Sequence, residues 1–133
     1  MKELIFYRCE ICGNLACMVV SSGMTPSCCG HTMTRLKENV SDGVAEKHVP
    51  VIRQNGRNIT ISIGEIAHPM RSNHYIEWVV LLTDRGKYFQ ELTVDGATDV
   101  EFTVGLTEKV LAAYAYCNIH GLWVKHLDSA GTA

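Results

Sequence analysis

The sequence lacks any long hydrophobic run. Its most apolar internal stretch, residues 76–82, contains Glu77 and is much shorter than the roughly 20 apolar residues of a membrane-spanning helix. Near the N-terminus, residues 4–7 are apolar but are followed at once by Arg8, and this run is too short for a secretory signal. We therefore predict a cytoplasmic protein without a membrane partner.

The sequence also lacks a large excess of charge of one sign. The net charge is −2, and nothing in it predicts a nucleic-acid partner. Residues 1–37 contain 4 basic and 2 acidic residues, whereas the remainder contains 8 basic and 12 acidic residues. The larger part of the chain is thus mildly acidic, so an anionic substrate would approach it against repulsion.

Cysteine, in contrast, is plentiful. In a reducing compartment the six cysteines are better interpreted as metal ligands or redox groups than as disulfides. Cys9 and Cys12 have the Cys-x-x-Cys spacing, and Cys28 and Cys29 are adjacent. Four thiolates in a short module fit tetrahedral zinc or a single iron. Both metals stay open at this point, including a purely structural zinc.

Short β-branched and aromatic runs, separated by turn sequences, dominate the chain from residue 44 onward. In residues 59–63 isoleucine alternates with threonine and serine, the period of a half-buried strand. Residues 106–116 are compatible with a helix or a strand. These patterns predict an all-β protein with an antiparallel sandwich or barrel. Its expected parts are a metal module (1–37), a linker (38–43), a β domain (44–127) and a tail (128–133).

Four histidines and one further cysteine suggest a second metal site. They are His48, His68, His74, His120 and Cys117. Zinc prefers four ligands, so a five-ligand set of nitrogen and sulfur favours iron with one open coordination position. A thiolate opposite that position would push electron density toward a bound molecule, which indicates redox chemistry on a small oxygen species.

Two stretches resemble known families. Residues 1–37 resemble desulforedoxin in combining Cys-x-x-Cys with Cys-Cys. Residues 44–124 resemble the catalytic domain of superoxide reductases, and the matching segments are EKHVPVI (46–52), AHPM (67–70), HYIEW (74–78) and CNIHGLW (117–123). Together they identify nearly the whole chain as similar to the desulfoferrodoxin family.

The resemblance implies a desulforedoxin-like knuckle followed by an immunoglobulin-like antiparallel β-sandwich that forms homodimers. It also implies two non-haem irons per chain, one held by Cys9, Cys12, Cys28 and Cys29, the other by four equatorial histidines (His48, His68, His74, His120) and axial Cys117. The implied reaction is the one-electron reduction of superoxide to hydrogen peroxide without dioxygen, with electrons from a rubredoxin-like donor.

The resemblance assigns catalytic roles to two neighbours of His48. Glu46 would close the sixth iron position in the resting oxidised state and move away on reduction. Lys47 would attract the superoxide anion locally and order a proton-donating water. The alternative is that both form an exposed charge pair, which is the commoner role of such residues.

Other functions remain open at the sequence level. A two-iron electron carrier or oxygen sensor would use the same ligands without turnover, and a zinc-stabilised β-sandwich could be a binding module. The first iron could relay electrons or be mainly structural. Cys17, His31 and His126 receive no role, and Tyr75, Trp78 and Trp123 are expected to be core aromatics.

Overall fold

The structure is a computed structural model that describes residues 4–40, 48–63, 73–94 and 99–127. Within these ranges all regular structure is β-strand, and no helix is present. It follows that the described residues include no helix able to cross a membrane. The chain divides into two compact units, Met1–Lys37 and Glu38–Ala133, and each is described by itself.

The first unit is built from very short strands. These are β1 (Phe6–Arg8), β2 (Leu15–Cys17), β3 (Ser27–Cys28), β4 (His31–Thr32) and β5 (Thr34–Arg35). Strands β2, β1 and β5 form one antiparallel sheet in that order, and β3 and β4 form a separate antiparallel pair.

The core of the first unit is small. Its buried apolar residues include a cluster of Tyr7, Cys9 and Met33, together with Leu4 and Phe6. A module with so few buried side chains gains little from apolar burial, and proteins of this size commonly depend on a bound metal. Two of the predicted ligands belong to this cluster, since Cys28 packs against it beside Cys9.

The second unit contains two sheets. Its strands are β6 (Glu38–Asn39), β7 (Pro50–Asn55), β8 (Asn58–Ile63), β9 (Ile76–Thr83), β10 (Lys87–Glu91), β11 (Val100–Thr103), β12 (Val110–Cys117) and β13 (Gly121–His126). One sheet has the order β10-β9-β12-β13-β6 and the other β11-β8-β7. All pairs are antiparallel except β13 with β6, which is parallel.

The core of the second unit lies between these two sheets. Ile59, Ile61 and Ile63 of β8 are fully buried, while Thr60 and Ser62 between them are half-buried. The predicted alternation of this strand is therefore confirmed. The isoleucines join apolar side chains of β9 and β12 in one cluster. Burying each isoleucine contributes about 1.5–3 kcal/mol of transfer free energy.

One segment departs from the predicted division of the chain, and another decides between the helix and the strand that the sequence leaves open. Glu38 and Asn39, which begin the expected linker, form strand β6 instead, because they pair with Leu122 and Trp123 of β13. The side-chain amide of Asn39 also donates to the Leu122 carbonyl at 3.0 Å. The ambiguous segment 106–116 becomes a strand from Val110, held in the middle of a sheet between β9 and β13. Linker residues 41–43 and the tail (128–133) lie outside the described residues.

Candidate metal centres

The sulfur atoms of Cys9, Cys12, Cys28 and Cys29 all lie within 4.8 Å of one another. The Cys12 and Cys28 sulfurs are 3.7 Å apart, and those of Cys28 and Cys29 are 3.9 Å apart. A tetrahedron with metal–sulfur bonds of about 2.3 Å has sulfur–sulfur edges of about 3.8 Å. The four thiols thus have the spacing of a tetrahedral metal site, and the donor set fits iron or zinc.

The backbone explains how adjacent cysteines can share one site. Cys29 has a φ of 53° and Gly30 a φ of 73°, so two successive residues adopt the left-handed region. In an extended strand neighbouring side chains point to opposite faces. The left-handed conformation costs a non-glycine residue about 1–2 kcal/mol, and here it turns both sulfurs to the same side. Gly30, directly after the cysteine pair, adopts the left-handed backbone conformation of this bend without the steric cost of a side chain.

Hydrogen bonds set the ionisation of this cluster. The backbone N–H groups of Cys12 and Ile11 donate to the Cys9 sulfur and lower the Cys9 pKa to about 6. The thiol of Cys29 donates to the sulfurs of Cys12 and Cys9, which raises the Cys29 pKa to about 12. Cys9 and Cys29 therefore do not ionise together in the absence of a cation. A metal ion that binds them must displace protons.

The second cluster combines His48, His74, Cys117 and His120, whose ligand atoms also lie within 4.8 Å of one another. His120 Nδ1 is 3.0 Å from His48 Nε2 and 3.8 Å from the Cys117 sulfur. Cys117 and His48 are buried, His74 is half-buried and His120 is exposed. The cluster is thus closed on the side of the core and open on one side to solvent.

Strand register brings these four residues to one end of the sandwich. Cys117 ends β12, and it pairs with Ile76 at the start of β9 and with Gly121 at the start of β13. His74 lies two residues before Ile76, and His120 directly precedes Gly121. His48 lies two residues before the start of β7, just as His74 lies two residues before the start of β9. Each ligand therefore comes from a strand end, where the backbone is rigid on one side.

A β-bulge lies beside the cluster. In the pairing of β12 with β9 the register shifts between Tyr116 and Cys117, so that Glu77 is skipped and Ile76 lies opposite Cys117. Ile76 and Cys117 both join the core, whereas Glu77 is only partly buried. Such bulges occur often beside functional sites, where they redirect a side chain. Here the bulge places an apolar residue next to the thiol.

Trp123 and Asn118 fix the orientation of the ligands. The indole of Trp123 stacks on the His48 ring with centroids 4.7 Å apart and planes 16° apart, and its N–H donates to the His120 carbonyl at 3.1 Å. Asn118 hydrogen-bonds to the residues on both sides of His74. Neither residue was predicted to act at the site. The need of a buried indole N–H for a partner is the one sequence feature that points to Trp123.

The remaining predicted residues have different outcomes. His68, Glu46 and Lys47 lie outside the described residues, so the fourth imidazole, the gate and the local charge remain predictions. His31 lies exposed on β4, and His126 is 3.8 Å from the carboxylate of Glu38.

Comparisons with known proteins agree with this arrangement. A family model described as Desulfoferrodoxin matches residues 40–126. The chain belongs to the desulfoferrodoxin family. It is 40% identical over 117 residues to a desulfoferrodoxin of Nitratidesulfovibrio vulgaris, which covers 88% of this chain and 91% of that protein.

Solved structures show the same relationship. The crystal structure of superoxide reductase from Treponema pallidum matches with a TM-score of 0.80 at 34% identity, covering 92% of this chain and 98% of that one. A one-iron superoxide reductase from Giardia intestinalis matches with a TM-score of 0.55 at 32% identity, covering 62% of this chain and 97% of that one. The predicted all-β fold of this family member is confirmed.

The donor set of the second cluster fits the iron that this family implies. Three imidazoles and one thiolate converge from separate strand ends, a mixture of nitrogen and sulfur ligands that suits iron. A four-thiolate site and a histidine–thiolate site in one chain are compatible with two metal ions per chain.

Proposed function

We propose that this chain is a superoxide reductase, which adds one electron and two protons to superoxide and releases hydrogen peroxide without forming dioxygen. The observation that carries the proposal is the convergence of His48, His74, His120 and the buried Cys117 thiol within 4.8 Å. Relatives whose names include superoxide reductase support it.

The proposed ligands of the catalytic iron are His48, His68, His74, His120 and Cys117. When bound there, ferrous iron would supply the electron, and an external rubredoxin-like protein would restore it. Around that iron, the chain's own residues set the surroundings. The open side at His120 admits a small anion, while burial of Cys117 keeps water from the thiolate.

Glu46 and Lys47 complete the proposed site. We assign Glu46 to a gate over the open position and Lys47 to local attraction of the superoxide anion. Local attraction matters because the chain outside residues 1–37 has an excess of acidic residues, which repel an anion at long range.

The other proposed properties concern the surroundings of the enzyme. Five of the six cysteines belong to the two candidate metal clusters, and cysteines used as metal ligands rather than in disulfides support a reducing, cytoplasmic location. We also propose a homodimer, with the Cys9, Cys12, Cys28 and Cys29 cluster binding the first iron. Its thiolates fit either an electron relay or a structural site.

Two measurements test the proposal. Metal analysis of the purified full chain should give about two irons per chain, and one zinc with no iron would contradict it. The reduced protein is then mixed anaerobically with superoxide. Hydrogen peroxide without dioxygen is the expected result. Dioxygen released together with peroxide would indicate a dismutase, and no reaction would indicate an electron carrier or a sensor.

A further inference from the structure

Asn118 lies between Cys117 and His120 and makes hydrogen bonds to both neighbours of His74. Its side-chain oxygen accepts the N–H of Tyr75 at 2.8 Å, and its side-chain nitrogen donates to the carbonyl of Asn73 at 3.1 Å. Its backbone N–H donates to the carbonyl of Tyr75 at 3.1 Å. Three hydrogen bonds thus join two segments that are more than 40 residues apart in sequence.

The side-chain chemistry at this position is specific. An amide is able to accept from an N–H and donate to a carbonyl at the same time, which a carboxylate cannot do. Asn118, Asn73 and Tyr75 are all exposed or half-buried, so these bonds are in contact with water and contribute modestly to global folding. Their main effect is local, because they fix the backbone immediately before and after the ligand His74.

The consequence concerns how the metal ligands are held. Without the side-chain bonds of Asn118, the backbone around His74 would be held by β9, which begins two residues later, and by the bond from the Asn118 N–H to the Tyr75 carbonyl. With them, His74 is tied directly to the loop that carries Cys117 and His120. Groups that hold a metal ligand in place through hydrogen bonds orient it, and their loss commonly changes metal affinity by about 10–100-fold.

We propose that Asn118 is a positioning residue that locks His74 to the Cys117–His120 loop, so that thiolate and imidazoles are assembled before the metal binds. This inference rests on the proposed function only in requiring that the second cluster binds iron. The residue does not touch substrate or metal in this proposal, and it acts through His74.

The test compares three variants of the full chain loaded with ferrous iron at both clusters. Asn118→Ala removes both side-chain bonds, and Asn118→Asp keeps an acceptor for the Tyr75 N–H but loses the donor to Asn73. The matched control is Asn58→Ala, which removes the exposed amide that accepts from Thr103 at 3.4 Å. Asn58 pairs with Asn55, at the opposite end of β7 from His48.

Iron release to an excess of chelator is the first readout, with the two clusters separated by their absorption in the oxidised state. We expect Asn118→Ala to speed release from the histidine–cysteine cluster about tenfold or more, with Asn118→Asp between it and the wild type. Release from the four-cysteine cluster should not change. Asn58→Ala should match the wild type at both clusters.

Hydrogen exchange of the Tyr75 amide in the metal-free chain is the second readout. We expect protection in the wild type and its loss in Asn118→Ala. Unchanged release from the histidine–cysteine cluster, or an equal increase at both clusters, would overturn the positioning role. A wild-type chain that binds no iron at the second cluster would instead overturn the proposed function.

Discussion

Trp123 shows how one side chain serves two ligands. It stacks on the ring of His48 and donates its indole N–H to the backbone of His120. These two ligands come from segments 72 residues apart in sequence. A single buried indole therefore sets both the tilt of one imidazole and the path of the backbone that carries the other.

The two contacts of Trp123 can be separated by substitution. Trp123→Phe keeps an aromatic face for His48 but loses the hydrogen bond to His120, and Trp123→Leu loses both. We expect iron retention at the histidine–cysteine cluster to fall in that order, by about 10–100-fold for Trp123→Leu. Iron content after dialysis against a chelator measures this. Trp78→Phe, which alters a stack on Tyr116, is the control and should retain its iron.

A second prediction at the residue scale concerns charge. Lys47→Ala should slow the reaction with superoxide up to about tenfold at low ionic strength, because it removes a positive charge from a part of the chain that has an excess of acidic residues. The difference should shrink at 1 M salt, where the screening length is about 3 Å. Rapid mixing at two salt concentrations measures it, with Lys87→Ala as the exposed control on β10. Equal rates for both variants would show that Lys47 is only a surface charge.

At the scale of elements, Glu108 holds the turn before β12 to two other strands. Its carboxylate accepts hydrogen bonds from the Thr83 hydroxyl, the Tyr88 hydroxyl at 2.8 Å and the Gly105 N–H at 2.7 Å. The hydrogen bond from the Thr83 hydroxyl is the largest cause of the lowered pKa of Glu108. The turn thereby anchors the start of the strand whose other end carries Cys117.

This anchor predicts a pH dependence of folding stability. A carboxyl whose pKa is lowered by folding stabilises the protein above its ordinary pKa of about 4.3, and the contribution is lost as the pH falls through the folded value. Glu108→Gln should lower the free energy of unfolding by about 1–3 kcal/mol at pH 7, and by less below pH 4. Urea unfolding at both pH values measures it. Glu101→Gln, an exposed change on β11, should stay within about 0.5 kcal/mol of the wild type.

The sequence predicts most of these elements because their patterns are local. Alternation in 59–63 and the turn residues between strands need no tertiary information. The sequence leaves segment 106–116 undecided between helix and strand, because its start at residues 107–109 is also suited to capping a helix. The segment forms a strand from Val110 because it pairs with β9 on one side and β13 on the other. The roles of Asn118 and Trp123 were not predictable, since they depend on which distant segments the strand register brings together.

At the scale of the whole molecule, the two metal clusters belong to separate units. The described ligands of each cluster come from one unit only. The first unit also has the smaller core, so a metal there supplies a larger share of its folding energy.

Removal of the first metal should therefore be selective. Cys12→Ser should reduce iron to about one per chain and lower the thermal stability of the first unit, with little change in the single-turnover reaction with superoxide. Cys17→Ser is the matched control, because Cys17 lies on β2 outside the four-sulfur cluster and should keep both irons. The steady-state rate with an external donor then separates a relay from a structural role. Loss of the second iron in Cys12→Ser would contradict the independence of the two sites.

The parallel pair of β6 and β13 has a practical consequence for shortened versions of this chain. A β-strand with an uncovered edge offers its backbone to other molecules and promotes aggregation. Beginning the second unit at residue 44 would remove Glu38 and Asn39 and leave β13 without its neighbour on that side. A shortened chain that begins at Glu38 keeps this edge covered, and it should remain soluble at concentrations where the shorter version precipitates.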